Sequence, residues 1–476
     1  MARIVVIGAG LGAMAAAARL AVAGHRVTVY ESGGTYGGAV RRFERDGFGF
    51  DTGPGLLHLP AVYRDLFVKT GKQPLEECVT LTQVDPASRQ LFADGTRVDL
   101  PNASRAGTVA ALDAALGAGT GERWGDFMVR AREAWDRTRR PLLEEPQPKD
   151  TTPLGREPYP ALKAGLLRRP TTTLARIGAR ELRDPRLAAL LDAYAWSYGF
   201  DPAGAPAAAA VLPYMEQTFG SWYVAGGIRA LADAVYERCR QRRVEFVFDA
   251  HVERVLEKDG RACGIELAGG ETVGADHVVS GAPVPSHHDE DRELAPRGAE
   301  PSAQRPYTGR VTVCLALRGA REPGAVHRTV VHAAGDLPTV TVLRPDDPAL
   351  RPDDGHESVT VTATVGTRGG QDWSAVAGRV VTAAEAAVPG LRERLLWQEV
   401  RTPEHTLRET GVAEVPGPAL AGAGGRHLPE ANASLLPGLY FAGGWAHPGG
   451  GLAHAGMSGA LVAGLIVEGA DFRGSQ

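Results

Sequence analysis

Gly8-Ala9-Gly10-Leu11-Gly12-Ala13 is the run with the clearest chemical content. An apolar stretch, Arg3 to Ile7, precedes it and an alanine-rich stretch to Ala23 follows, so the spacing predicts a glycine turn between a strand and a helix. Arg26 to Tyr30 predicts the next strand, which closes on an acid, Glu31, followed by Ser32. In that setting each small residue has a task. Gly8 makes the tight turn, Gly10 lets a pyrophosphate approach the backbone, and Ala13 keeps the helix close to the strand. The helix start at Leu11 and Gly12 offers unpaired N–H groups and a positive dipole end to phosphates, and Glu31 is placed for adenosine ribose hydroxyls. A structural glycine turn is the bland alternative, but strand, helix and acid are all in place for a dinucleotide.

Three later segments separate the candidate dinucleotides. These are Gly37-Gly38, the loop Asp51-Thr52-Gly53-Pro54, and a C-terminal stretch holding Gly443, Gly444, Trp445, His447 and Gly451, with Leu452 opening an alanine-rich helix. They are superfluous for NAD and are needed to hold the ribityl chain and ring of a flavin, so the expected cofactor is FAD. No second GxGxxG loop follows in a strand–helix–strand setting, and a stable NADPH site is not expected. His447 is a candidate acid or base, or a group that positions the flavin, with positioning the bland reading. Trp445 and Trp222 either wall the flavin or fill core. His454 reads as structural.

To position these residues the chain needs more than one hydrophobic core, and its 476 residues predict two domains. A hydrophobic content of 43% argues against disorder, and a net charge of -4 gives no global field for nucleic acid. Cys78, Cys239, Cys263 and Cys314 are dispersed, against a zinc site or disulfide framework and in keeping with a cytoplasmic protein. The start runs directly into a strand rather than an export signal, and no stretch of roughly 18 uninterrupted apolar residues predicts a membrane span. His287-His288-Asp289 with Glu290, Asp291 and Glu293 has metal-binding residue types, but neighbours on an extended chain point apart, so a solvated loop is favoured and no metal is expected. Ala161 to Arg180 carries Lys163, Arg168, Arg169, Arg176 and Arg180 without an acid. This segment is a candidate for peripheral membrane contact, with a solvated surface helix the favoured reading.

Helical spacing runs from about Ala106 to Tyr214, with Trp124, Phe127, Trp135, Leu190, Leu191 and Tyr194 as predicted core. Pro301 to Gly319, His327 to Val342 and Ser358 to Thr364 alternate apolar and polar residues, which predicts an antiparallel sheet with one packed face. The expected organisation is a discontinuous FAD-binding domain from residues 1–70, 220–285 and 425–476. A substrate domain takes 71–219 and 286–424, with helices inserted near 106–215.

The chain resembles the bacterial carotenoid desaturases typified by phytoene desaturase. The carriers are Val6 to Gly10, Gly37-Gly38, Phe50 to Pro54, Leu91 to Thr96, Trp222-Tyr223 with Gly226-Gly227, Val252 with Val255 and Gly264, and Pro437 to Gly451. The resemblance implies an α/β fold: a Rossmann-type FAD domain of the glutathione-reductase and amine-oxidase kind, beside a substrate domain of antiparallel sheet and helices. It also implies one noncovalent FAD, which takes hydride from an apolar polyene or isoprenoid-like substrate and is reoxidised by oxygen or a quinone. It adds Val252 to the cofactor set. Where the family usually has Arg after the paired glycines this chain has Ala39, with Arg41 as the nearby cation. Residues 140–215 match poorly, which motivates a second reading: a natural-product tailoring oxidoreductase acting on a polyketide-derived substrate such as a tetramate. A noncatalytic FAD-binding escort module is a remote third.

Overall fold

The computed structural model describes residues 1–164, 167–169, 171–283, 308–367 and 371–474. At the N-terminus, Ile4, Val5 and Val6 fill the centre of strand Arg3–Ile7 and are all buried. It pairs in parallel with Arg26–Tyr30 on one side and His277–Ser280 on the other. Glu245–Val247 and Leu439–Phe441 add the edges, giving a five-stranded parallel sheet whose central strand comes first in the chain. Such a sheet is covered on both faces, which is why its strands read as apolar runs.

Helices cover one face. Leu11–Val22 lies against Leu452–Val467, and the small residues of both allow a close crossing. A Cβ on Gly459 would stand 2.4 Å from Gly12 O and 2.7 Å from Ala16 N. The other face carries an antiparallel meander of Val252–Lys258, Arg261–Leu267 and Thr272–Gly274, with Ile265 packed among Val5, Val278 and Leu439. The sequence predicts short strands at Val244 to Phe248, Val252 to Glu257, Gly264 to Leu267 and His277 to Ser280. The first and last join the parallel sheet, and the middle two join this covering layer with Thr272–Gly274, which the sequence did not indicate.

A second, seven-stranded sheet runs in the order Leu395–Arg401, Thr308–Arg318, His356–Gly366, Val340–Leu343, Arg328–Val331, Ser88–Leu91 and Arg97–Leu100. It is antiparallel as expected, except where Arg328–Val331 and Ser88–Leu91 run parallel. Val311, Val313, Leu315, Val340, Val342, Val359 and Val361 share one face, buried against helix Trp373–Ala384. The alternate face carries Arg310, Thr312, Thr341, Thr360, Thr362 and Thr364, as the period of two requires.

Helices Arg105–Leu116, Thr120–Arg139, Pro185–Ser197 and Val211–Phe219 form the inserted region, and all six predicted core residues are buried there. The basic segment departs from expectation. Leu162–Ala164 and Leu167–Arg169 form a two-stranded hairpin, followed by a short helix, Leu174–Ile177, whose Leu174 and Ile177 face the core. Gly165, Pro170 and the β-branched Thr171 to Thr173 prevent one continuous amphipathic helix. His287 to Glu293 lies outside the described residues. Among those described, no helix is long and apolar enough to cross a membrane, and no group of three metal-ligating side chains occurs.

Candidate active site

In an open parallel sheet the binding crevice opens at the carboxyl ends of the strands, where the chain order reverses. That point lies between Arg3–Ile7 and His277–Ser280. Gly8 turns there with φ +85°, a left-handed value that favours glycine, and its N–H donates to Tyr30 O at 2.7 Å. In front of Gly10 a Cβ would meet nothing within 4 Å, so open space faces its backbone. Ala13 is buried, 2.8 Å from where a Cβ on Gly281 would stand. Gly12 has a role that spacing did not reveal. Its Cβ would lie 2.6 Å from Gly443 Cα and 2.7 Å from Ala455 O, so it joins the N-terminal loop to the C-terminal one.

Glu31 is buried, and its two carboxylate oxygens accept from Ala9 N–H at 2.7 Å and Gly33 N–H at 2.8 Å, with Ser32 alongside. Oε2, with Ala9 N–H as its one donor, keeps a further lone pair. Gly37 donates to Ala9 O at 2.8 Å, and a Cβ on Gly38 would stand 3.1 Å from Gly10 Cα, so the paired glycines cross the first loop. Ala39 is exposed. Arg41 bends back instead, donating to Gly38 O and Glu409 O at 3.0 Å each, and it forms no ion pair among the described residues. Gly53 packs on Ala39, whose carbonyl oxygen would be 2.3 Å from a Cβ there, and Pro54 is half-buried. Asp51 is the structural member of its motif. It accepts from the Ile228 and Arg229 amides that open helix Arg229–Gln241, and burial raises its carboxyl to about 6 against those bonds. Val252 begins its strand half-buried.

Gly443 (φ +99°), Gly444, Trp445 and Gly451 (φ +104°) lead into Leu452, the first residue of the last helix. Helices Leu11–Val22 and Leu452–Val467 both start without a side-chain cap, so two sets of unsatisfied N–H groups open toward one region. Trp445 is half-buried; Trp222 packs on the FAD-side core and donates to Phe219 O, the core reading. His447 is wholly enclosed. Its Nε2 donates to Glu145 O at 2.9 Å, Nδ1 has no partner, and burial pushes the imidazole down to about 4. His454 is also buried and held near 4, beside a small apolar cavity of about 20 Å³ lined by Trp135, Leu142 and Met215.

Side chains from the helical insertion and the second sheet complete the region, and spacing gave no notice of them. The Tyr198 ring comes within 3.9 Å of a Cβ placed on Gly451, with its hydroxyl buried beside the Glu216 carboxylate. Glu216 Oε2 lies 2.8 Å from Arg328 Nη1, and Oε1 lies 3.5 Å from His58 Nε2. Burial alone would raise the Glu216 carboxyl, but Arg328 and His58 hold it below the ordinary value; burial lowers His58. The only sequence signal was an acid inside the apolar helix Val211–Phe219.

The flavin-containing amine oxidoreductase family matches residues 14–467. The chain belongs to that family. It is an FAD-dependent oxidoreductase of the phytoene-desaturase-like type. Among its relatives, 4,4'-diapolycopene oxygenase of Methylomonas sp is 28% identical, the match covering 98% of both chains. Hydroxyneurosporene desaturase of Rubrivivax gelatinosus is 29% identical over 97% of this chain and 92% of its own. An oxidoreductase structure from Methanosarcina mazei shares the fold with a TM-score of 0.66 at 18% identity, covering 97% of this chain and 99% of its own. The residues present fit FAD: open space at Gly10, an unneutralised Arg41, an interior acid with a spare lone pair, and two uncapped helix starts whose glycine loops meet.

Proposed function

We propose that this chain desaturates an apolar polyene, drawing hydride from a saturated carbon while the neighbouring carbon releases a proton. Bound FAD supplies the hydride acceptor. The observation that carries the reading is the close approach of the two glycine loops through Gly12 and Gly443, each opening an uncapped helix, with the second sheet tied to them where Val415 bonds Thr308 and Pro416 packs on Gly444. Full-length likeness to an enzyme named for diapolycopene supports the polyene class.

In this reading Gly8, Gly10, Leu11, Gly12 and Ala13 take the pyrophosphate, Arg41 supplies the positive charge near Gly37 and Gly38, and Glu31 with Ser32 takes the ribose. Gly53, Pro54, Val252, Gly443, Gly444, Gly451 and Leu452 bound the flavin portion, with Trp445 beside it. His447 positions the loop, since its proton is already committed to Glu145 and its ring reaches no surface. The FAD-binding domain takes residues 1–70, 220–285 and 425–476 and the substrate domain takes 71–219 and 286–424, and the composition of the two sheets supports this division. The parallel sheet draws its strands from residues 3–30, 245–280 and 439–441, and the second sheet from 88–100 and 308–401. Oxygen or a quinone reoxidises the enzyme.

The test is to incubate FAD-loaded protein with conjugated polyene hydrocarbons, with oxygen and then with a soluble quinone. A product lacking two hydrogens and absorbing at longer wavelength is expected. Unchanged polyene under every acceptor, from protein that retains its FAD, would contradict the proposal.

A further inference from the structure

A hydrocarbon needs no cation, yet one stands in the interior of the substrate half. Arg310 belongs to strand Thr308–Arg318, on the threonine-bearing face opposite Val311 and Val313. It pairs across the sheet with Thr364; Thr312 pairs with Thr362, and Thr362 with Thr341. Thr341, Thr362 and Thr364 keep reachable surface, whereas Val340, Val342, Val361 and Ala363 on the reverse face are fully packed. Phe48 and Phe50 cover this face at Cys314 and Ala316, and Thr312 and Thr360 are buried, so the part left accessible is the Arg310 end with Thr341, Thr362 and Thr364.

Two buried arginines at the same sheet are paired with acids. Arg328 faces Glu216 at 2.8 Å and Arg344 faces Glu357 at 2.7 Å. Arg238 donates to Phe67 O and Gln73 Oε1. Arg310 has a single acceptor, Ser197 O at 3.0 Å, and forms no ion pair among the described residues. Its remaining N–H groups are not enclosed by packed atoms, and burial alone lowers its pKa, with no neighbouring carboxylate opposing. A guanidinium with one backbone acceptor and accessible N–H groups keeps donors available to an anionic ligand.

Its location ties that ligand to the reaction site. Ser197 directly precedes Tyr198, whose ring lies 3.9 Å from where a Cβ on Gly451 would stand. Thr308 Oγ1 donates to Gly199 O at 2.6 Å, and Val415 N–H donates to Thr308 O. Pro416, next along, packs on Gly444 and Gly450 of the C-terminal glycine loop. Arg310 thus stands within a few residues of contacts to the C-terminal glycine loop.

We propose that Arg310 and the threonine face form a subsite for a carboxylate at one end of an otherwise apolar substrate. This rests on the polyene reading above and narrows it to oxidised, acid-terminated polyenes. The guanidinium takes the carboxylate through paired N–H donors, the threonine hydroxyls take its remaining lone pairs, and the apolar chain extends toward the flavin.

The experiment titrates FAD-loaded protein anaerobically with a conjugated polyene carboxylic acid and with its methyl ester, reading perturbation of the flavin spectrum. The acid is expected to bind on the order of 10- to 100-fold more tightly than the ester. In Arg310→Gln that ratio falls to near one through loss of acid affinity, with FAD content retained, and Arg310→Lys restores part of it. Equal affinity of wild-type protein for acid and ester overturns the subsite, as does an Arg310→Gln variant that loses FAD or weakens both ligands alike. If Arg310→Gln does not fold, the wild-type ratio and Arg310→Lys still decide. Failure of the parent reading looks different: neither polyene perturbs the flavin at all.

Discussion

Around Gly10 the chain does its work with backbone, and around Arg328 it does so with side chains. The first region joins Gly8, Gly12, Gly38 and Gly443 at distances that no Cβ would tolerate or through turns that favour glycine, with open space before Gly10, leaving N–H groups as the binding surface. The second gathers His58, Tyr198, Glu216, Arg310 and Arg328 from five separate segments into an interior of paired and unpaired charge. A backbone site tolerates almost no added atom. A side-chain site tolerates added volume but not a missing partner.

The strongest way to break that contrast is Gly12→Val. Its Cβ would press on Gly443 Cα, Ala455 O and Gly443 N, all backbone and all under 3 Å, so loss of folded flavoprotein is expected. Soluble yield and bound flavin check it; a normally loaded Gly12→Val protein would show that the two loops do not need their close contact.

Next in size, Glu216→Leu strands a buried arginine and should cost about 3–5 kcal/mol in urea unfolding. Adding Arg328→Met should return most of that loss, because the pair is expensive to split and cheap to replace. If the double variant is as unstable as the single one, volume and not charge governs this region.

Glu157 sharpens the comparison through pH. Burial raises its carboxyl to about 7 despite amides from Tyr159, Ala207 and Ala208, and Oε2 has no partner. The folded state holds this proton more tightly than the unfolded one. The associated stability is therefore present below pH 4.5 or so and lost as pH rises through about 7. Glu157→Gln should gain on wild type across that window, by about 2–3 kcal/mol at its upper end. A constant difference between the two proteins at all pH values would contradict the assignment.

The smallest effect concerns His447. Held near 4 by burial, it stays neutral in the working range, so turnover between about pH 5 and 8 should lack an inflection from it. An inflection that disappears in His447→Gln would restore its candidacy as a base.

Legibility in the sequence follows the same division. Gly8 to Ala13, Glu31 and the C-terminal glycines lie close together in the chain because a turn and a helix start are local objects, and the spacing names them directly. The parallel sheet and the threonine-faced sheet could be anticipated from apolar runs and alternation. Gly12's contact with Gly443 could not, since it joins residues more than 400 apart, and neither could Glu216 with Arg328 or Arg310 with Ser197. The segment Ala161 to Arg180 misled because its apolar and basic spacing suits a helix, while glycine, proline and three threonines in the same sequence disfavour one.

The most direct measurement is the visible spectrum of the purified protein before and after anaerobic addition of a conjugated polyene. Flavin bands that bleach without oxygen and return on its admission are expected from a hydride acceptor for such substrates. Flavin that is bound in full yet stays oxidised with every polyene supplied would contradict the desaturase reading at its centre.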